Sequence, residues 1–200
     1  MHRDDVELIE SEPLHDGFFK LSRERFRHRR FDGGWSGPVD REMLHVGTSV
    51  VALPYDPVRD AVVLIEQFRI GAYAAGRDAC WLTEVVAGLG EPGEDPAVTA
   101  CRETMEETGM ELRAPVLARR WLSSPGVLDE NVIMYVGQVD AQPTDRPQGL
   151  ASEHEDIRVL VVPAEEAIGF LDTPRVDNAH TLVALSWFAR HRDRLRRLWI

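Results

Sequence analysis

Residues 87–110 read Ala87-Gly88-Leu89-Gly90-Glu91-Pro92-Gly93-Glu94-Asp95-Pro96-Ala97-Val98-Thr99-Ala100-Cys101-Arg102-Glu103-Thr104-Met105-Glu106-Glu107-Thr108-Gly109-Met110. The second half predicts a helix with marked ends. Asp95 is a good N-cap, Pro96 suits the first helical position, and Gly109 stands where a left-handed terminating residue belongs. Ala97, Cys101 and Met105, with Ala100 beside them, form an apolar stripe expected to face a core.

The carboxylates do not fit a plain surface helix. Glu103, Glu106 and Glu107 lie at i, i+3 and i+4 and share one face. Like charges at that spacing repel, and the negative end of the helix dipole disfavours them further. A divalent cation removes both penalties, and hard cations such as Mg²⁺ and Mn²⁺ take oxygen ligands. Arg102 can also pair with one of the glutamates. A solvated acidic helix face is the alternative reading of the glutamates alone. Gly88, Gly90 and Gly93 allow the preceding backbone to bend tightly and approach a metal or phosphate.

Outward from this segment, Val50–Leu53 and Ala61–Ile65 read as buried strands joined at the Asp56–Asp60 turn, a hairpin. Further strands are expected at 81–86, 116–122, 132–139 and 157–162. Pro163–Leu171 reads as a short helix with Pro163 at its first position. A last helix, capped by Asp177 or Asn178, is expected to run to about Arg192, followed by an amphipathic docked tail. Strands mixed with separated helices suggest an α+β protein or an α/β sandwich. The first forty-odd residues differ. Arg23–Phe31 is basic with aromatics threaded through it, and reads as a small sheet with a solvated basic face, or as an arm that meets a partner subunit or an anion.

The 200 residues are 44% apolar and 28% charged, which suits a globular protein with a sizeable core. No apolar run is long enough to span a bilayer and no secretory signal is seen at the start. Cys80 and Cys101 make neither a disulfide framework nor a zinc site, and both are expected to be reduced, which points to the cytoplasm. Net charge is −11, from 23 Lys+Arg against 34 Asp+Glu. Such a surface repels nucleic acid, and an anionic ligand needs local arginines or a bound metal.

The 87–110 segment resembles the Nudix hydrolase signature, Gly-x5-Glu-x7-Arg-Glu-U-x-Glu-Glu-x-Gly-U, with U a bulky apolar residue. Gly88, Glu94, Arg102, Glu103, Glu106, Glu107, Gly109 and Met110 fall in register, and Thr104 departs at the first U position. The resemblance implies an α/β/α Nudix sandwich over residues 47–200, with a small N-terminal antiparallel β-sheet domain at 1–46 that exchanges between the subunits of a homodimer. It makes Glu103, Glu107 and the Ala87 carbonyl metal ligands, for Mg²⁺ or Mn²⁺. Glu106 is placed to bind a second ion or orient water, while Glu94 and Arg102 hold the loop to the helix.

Beyond the signature, Arg41, the Asp56–Asp60 turn, Glu66-Gln67-Phe68-Arg69, Trp81 to Gly88, Ser124-Pro125-Gly126 and Glu153 to Ile157 are similar to the ADP-ribose subgroup of this family. Pro125 is its mark. The implied activity is hydrolysis of the ADP-ribose diphosphate to AMP and ribose 5-phosphate. Arg41 and Arg69 would contact the diphosphate or terminal sugar, Glu84 the ribose, and Phe18 the adenine, with Pro125 and Gly126 lining the substrate. The 153–155 loop would supply the base, assigned to Glu153, and a further ligand, Glu155; the order can be reversed. His154 and His180 read as structural or surface residues. Two other readings stay open: another nucleotide sugar such as ADP-glucose or GDP-mannose as substrate, and a non-catalytic ADP-ribose-binding regulator.

Overall fold

The computed structural model describes residues 1–91 and 93–200; Pro92 of the glycine-rich segment lies outside the described residues. The chain divides into two compact units. The first comprises 1–48 with 121–131, and the second 49–120 with 132–200.

In the first unit, β1 (Val6–Asp16), β2 (Lys20–His28) and β3 (Val39–His45) form an antiparallel sheet in the order β1-β2-β3. The register shifts between Leu8 and Glu10 and again between Pro13 and His15. Irregularity and a proline on an edge strand both discourage further pairing. The basic run of β2 is matched inside its own sheet. Arg23 pairs with Glu12 at 2.8 Å and Arg27 with Glu7 at 2.6 Å, while Arg27 and Arg29 lie over the Trp35 ring at 4.9 and 4.4 Å. These are exposed pairs and contribute little stability individually. Asp129 fastens the later segment to β3: it accepts from the Val46 and Gly47 N–H groups and from His45 Nδ1.

The second unit is built on a larger sheet, in the order β10-β5-β4-β9-β8, from β4 (Thr48–Asp56), β5 (Ala61–Phe68), β8 (Arg113–Leu122), β9 (Asn131–Gln138) and β10 (Arg158–Pro163). Two short strands lie off that path: β6 (Trp81–Glu84) pairs with β5, and β7 (Val86–Leu89) with β4. The single strand expected at 81–86 is therefore broken. At Val85 the chain leaves one neighbour for the other, and its N–H is taken by the Thr181 hydroxyl at 3.0 Å. The helices are α1 (Ile70–Ala74), α2 (Pro96–Thr108), α3 (Ala164–Gly169) and α4 (Ala179–Trp199).

The bounds and caps of α2 match expectation. The Asp95 carboxylate accepts from Ala97 N–H, and Gly109 has φ +70°. Its buried face matches in part, since Ala100 lies in the core and Ala97 and Cys101 pack against it. Met105 is 47% exposed, while Ala100, Thr104 and Thr108 are buried along one line. Thr104 donates to the Ala100 carbonyl at 2.7 Å and Thr108 to that of Thr104 at 2.5 Å. Each hydroxyl is satisfied by its own helix, so these polar side chains can be buried beside the apolar stripe. One core cluster of β-strand residues, among them Val50, Ala52, Val63, Ile65 and Val86, packs with Ala100, Met110 and Leu112 at this helix.

Two other expectations are corrected. Pro163 closes β10 and stands before α3 instead of inside it. The tail after Arg192 is the continuation of α4, because no Gly or Pro stops it and Leu185, Phe188 and Leu195 keep a buried line through it. Phe188 meets Tyr55 edge-to-face at 5.0 Å. Asn178 caps α4, accepting from Thr181 N–H at 3.1 Å and donating to the Thr83 carbonyl at 2.8 Å.

Candidate active site

The α2 glutamates divide by burial and partner. Glu107 is 2% exposed, and one carboxylate oxygen accepts from the Ala87 N–H at 3.3 Å. Burial, with the charges of Glu103 and Glu155 adding to it against the Ala87 N–H, pushes the Glu107 carboxyl up to about 9. Glu103 lies directly on Gly88: a Cβ there would overlap its carboxylate. Burial raises the Glu103 carboxyl as well, against the lowering pull of Arg102. Arg102 contacts three carboxylates. It stands 2.7 Å from Glu103, 3.0 Å from Glu106 and 3.3 Å from Glu94. The sequence pairs it with one of the helix glutamates, and the resemblance joins it with Glu94. Glu94 also accepts from the Thr99 hydroxyl at 2.8 Å, so this pair holds the loop to the helix.

Glu155 reaches the same region from the loop before β10. Its carboxylate accepts from the Leu150 N–H at 2.9 Å, and its charge acts on Glu103, Glu107 and Arg69. Glu153 ends a short 3-10 turn and is exposed. His154 follows with φ +58°. Arg69 pairs with Glu84 at 2.7 Å, and Gln67 donates to the same Glu84 oxygen at 3.3 Å.

Ala87, Glu103, Glu106, Glu107, Glu155, Arg69, Glu84 and Glu153 all belong to the second unit. Phe18, Arg41, Pro125 and Gly126 belong to the first. There Phe18 is 86% exposed and packs edge-to-face on Phe19. Arg41 donates to the Asp40 carbonyl at 2.8 Å, and Pro125–Gly126 lie in a turn closed by Val127 and Leu128 N–H on the Ser124 carbonyl.

The donor set suits a divalent cation. Buried carboxylates repel one another here, and Gly88 leaves the room that the Glu103 oxygens occupy. Among the described residues, no three His, Cys, Asp or Glu groups are already gathered closely enough to hold an ion. Arg102 supplies part of the missing positive charge, bridging Glu103 and Glu106. Glu103, Glu107, Glu155 and the Ala87 carbonyl are the groups that would hold a metal, all of them hard oxygen donors. One position escaped sequence reading: Gly149, whose N–H donates to the Glu106 carbonyl at 3.1 Å. A glycine just ahead of the paired loop glutamates was the available signal.

An α/β domain with a glycine-backed, carboxylate-bearing helix defines a class, and comparison with known proteins gives the same class. Residues 43–185 match the NUDIX domain, and the chain belongs to the Nudix family. It is 44% identical to the ADP-ribose pyrophosphatase of Escherichia coli K12, over 98% of this chain and 94% of that protein. It is 36% identical to the Haemophilus influenzae protein of the same name, over 98% and 91%. A crystal structure of an ADP compounds hydrolase superposes with a TM-score of 0.73 at 17% identity, covering 96% of this chain and 97% of that one, which shows the shared fold. No described helix is long and apolar enough to cross a membrane.

Proposed function

We propose that this chain hydrolyses the diphosphate of ADP-ribose to AMP and ribose 5-phosphate, with Mg²⁺ as its metal and Mn²⁺ able to replace it. The observation that carries this reading is the buried Glu107 carboxylate on the Ala87 N–H, beside Glu103 seated on Gly88, in a chain 44% identical to an ADP-ribose pyrophosphatase. When bound, the metal neutralises the diphosphate and lowers the pKa of water. Glu103, Glu107, Glu155 and the Ala87 carbonyl hold it, and Glu106 orients water or a second ion. Glu153 takes the proton of the attacking water as its oxygen bonds to phosphorus and the bridging P–O bond breaks. Arg69, fixed by Glu84, binds a diphosphate oxygen or the terminal sugar. Glu84 also faces the ribose.

Phe18, on adenine, and Arg41, on the diphosphate or sugar, are assigned by resemblance, as are Pro125 and Gly126. Alanine variants of each, scored by KM for ADP-ribose, test these assignments one at a time. The same reading makes the protein a cytoplasmic homodimer that exchanges residues 1–46, acts on a small nucleotide sugar and engages neither nucleic acid nor membrane. Light scattering on the purified protein reads the dimer directly.

The deciding experiment is incubation with ADP-ribose in Mg²⁺ and in EDTA, with chromatographic detection of AMP. AMP formed only with metal supports the reading. No AMP from folded protein overturns it, and a panel of ADP-glucose and GDP-mannose then identifies the substrate.

A further inference from the structure

Between β9 and β10 the chain returns to the end of α2 and is tied there. Met105 O is taken by Gly109 N–H, which closes the helix. A further turn of helix would satisfy the next carbonyl, that of Glu106, but the left-handed Gly109 stops it. Gly149 N–H fills that place at 3.1 Å. Gln148 and Ile157 exchange both backbone hydrogen bonds, at 2.9 and 3.1 Å, and close the loop at its base. Within it, Leu150 N–H donates to the Glu155 carboxylate at 2.9 Å, and the Leu150 carbonyl accepts from Glu153 N–H at 2.9 Å.

Gly149 meets two demands at once. Its φ is +96°, which side-chain-bearing residues rarely adopt. A Cβ on it would stand 2.6 Å from Glu155 Cβ and 3.0 Å from Glu155 Oε2. We infer that Gly149 is a positioning residue for metal binding: it docks the loop on the Glu106 carbonyl and leaves the space in which the Glu155 carboxylate is held by Leu150 N–H. The inference rests on the metal-site reading above. It couples the last turn of α2 to the loop carrying Glu153 and Glu155 through one backbone hydrogen bond. The Leu150 N–H acts as an outer partner that orients a ligand carboxylate, a type of contact whose loss typically weakens metal binding about 10–100-fold.

The test is Mn²⁺ binding to the full chain, read from the free-ion paramagnetic resonance signal, alongside Mg²⁺-dependent turnover of ADP-ribose. Gly149→Ala is expected to weaken Mn²⁺ binding about tenfold or more and to raise the Mg²⁺ needed for half activity in step, with KM for ADP-ribose changed less than twofold. In an E155Q background the same substitution should add less than twofold, because it acts through Glu155. Leu150→Pro removes the N–H donor while keeping Gly149, and should weaken Mn²⁺ binding even where Gly149→Ala fails to fold. Unchanged Mn²⁺ binding in either folded variant overturns the inference, as does an equal loss from Gly149→Ala with and without E155Q. Wild-type protein that binds Mn²⁺ but turns over no ADP-ribose overturns the substrate reading instead.

Discussion

Arg69 reaches a single Glu84 oxygen through both Nε, at 2.9 Å, and Nη2, at 2.7 Å. Gln67 donates to the same oxygen at 3.3 Å. The pairing follows from sheet register, since Ile65 lies opposite Glu84 and Gln67 opposite Leu82, which brings the side chains of alternate residues to one face. A guanidinium fixed in this way loses less freedom when it meets an anion.

If Arg69 is a substrate arginine, its fork matters as well as its charge. Arg69→Lys is expected to raise KM for ADP-ribose about tenfold, roughly 1.4 kcal/mol of binding. Glu84→Ala should have a similar effect by releasing Arg69. The double variant should fall well short of the product of the two, as expected for residues in contact. Steady-state kinetics on the three variants checks this, and a multiplicative result would separate the two roles.

Glu107→Gln keeps the shape of the side chain and its hydrogen bond from Ala87 N–H but removes an anionic oxygen. Metal-dependent turnover should drop more than about 100-fold, beyond what loss of an outer partner causes. Thermal melts in EDTA and in Mg²⁺ provide the second measure. The wild type should gain stability with Mg²⁺ through ligand linkage, and the variant should gain little. An equal gain in both would remove Glu107 from the ligand set.

The helix that carries the site was legible because its local signals agree. Asp95, Pro96 and Gly109 set its ends, and the glutamate spacing set one face. Ala97, Ala100 and Cys101 meet the core as expected while Met105 does not, and only the helix itself shows how Thr104 and Thr108 are buried, with their hydroxyls satisfied by carbonyls four residues back. The break at Val85 was hidden for a similar reason. The N–H at the break goes to the Thr181 hydroxyl, 96 residues away in sequence, which no local pattern reports. Gly149 combines both difficulties, since its role depends on the Glu106 carbonyl and on the volume of Glu155.

Asp60 gives a stability test away from the chemistry. It accepts from Arg192 Nε at 3.0 Å, from Arg192 Nη2, from Arg196 at 3.3 Å and from the Tyr55 hydroxyl at 2.7 Å, joining the β4–β5 turn to α4. Its hydrogen bonds with Arg192 hold the carboxyl below its ordinary value of 3.8, against the opposing effect of burial. A lowered folded-state pKa adds stability above the unfolded value, and that stability is lost as pH falls through the folded one. Asp60→Asn is therefore expected to cost about 2 kcal/mol at pH 7, the scale of hydrogen bonds to charged groups. The difference from wild type should shrink below pH 3.8. Urea unfolding at neutral and acid pH measures it; a constant difference would assign the effect to packing.

Glu153 and Glu155 lie one residue apart but have different surroundings, and that separates their expected roles. The Glu155 carboxylate is tied to Leu150 N–H and acts electrostatically on Glu103 and Glu107, as suits a ligand. Glu153 is exposed at the end of a 3-10 turn, with a left-handed His154 behind it, as suits a group that meets water. Glu155→Gln should raise the Mg²⁺ requirement and weaken Mn²⁺ binding, with part of the turnover recovered at high metal. Glu153→Gln should bind Mn²⁺ as the wild type does, and its kcat should fall about 100-fold or more, the scale of general-base catalysis. Normal turnover in Glu153→Gln, with unchanged Mn²⁺ binding and lost kcat in Glu155→Gln, would reverse the two assignments.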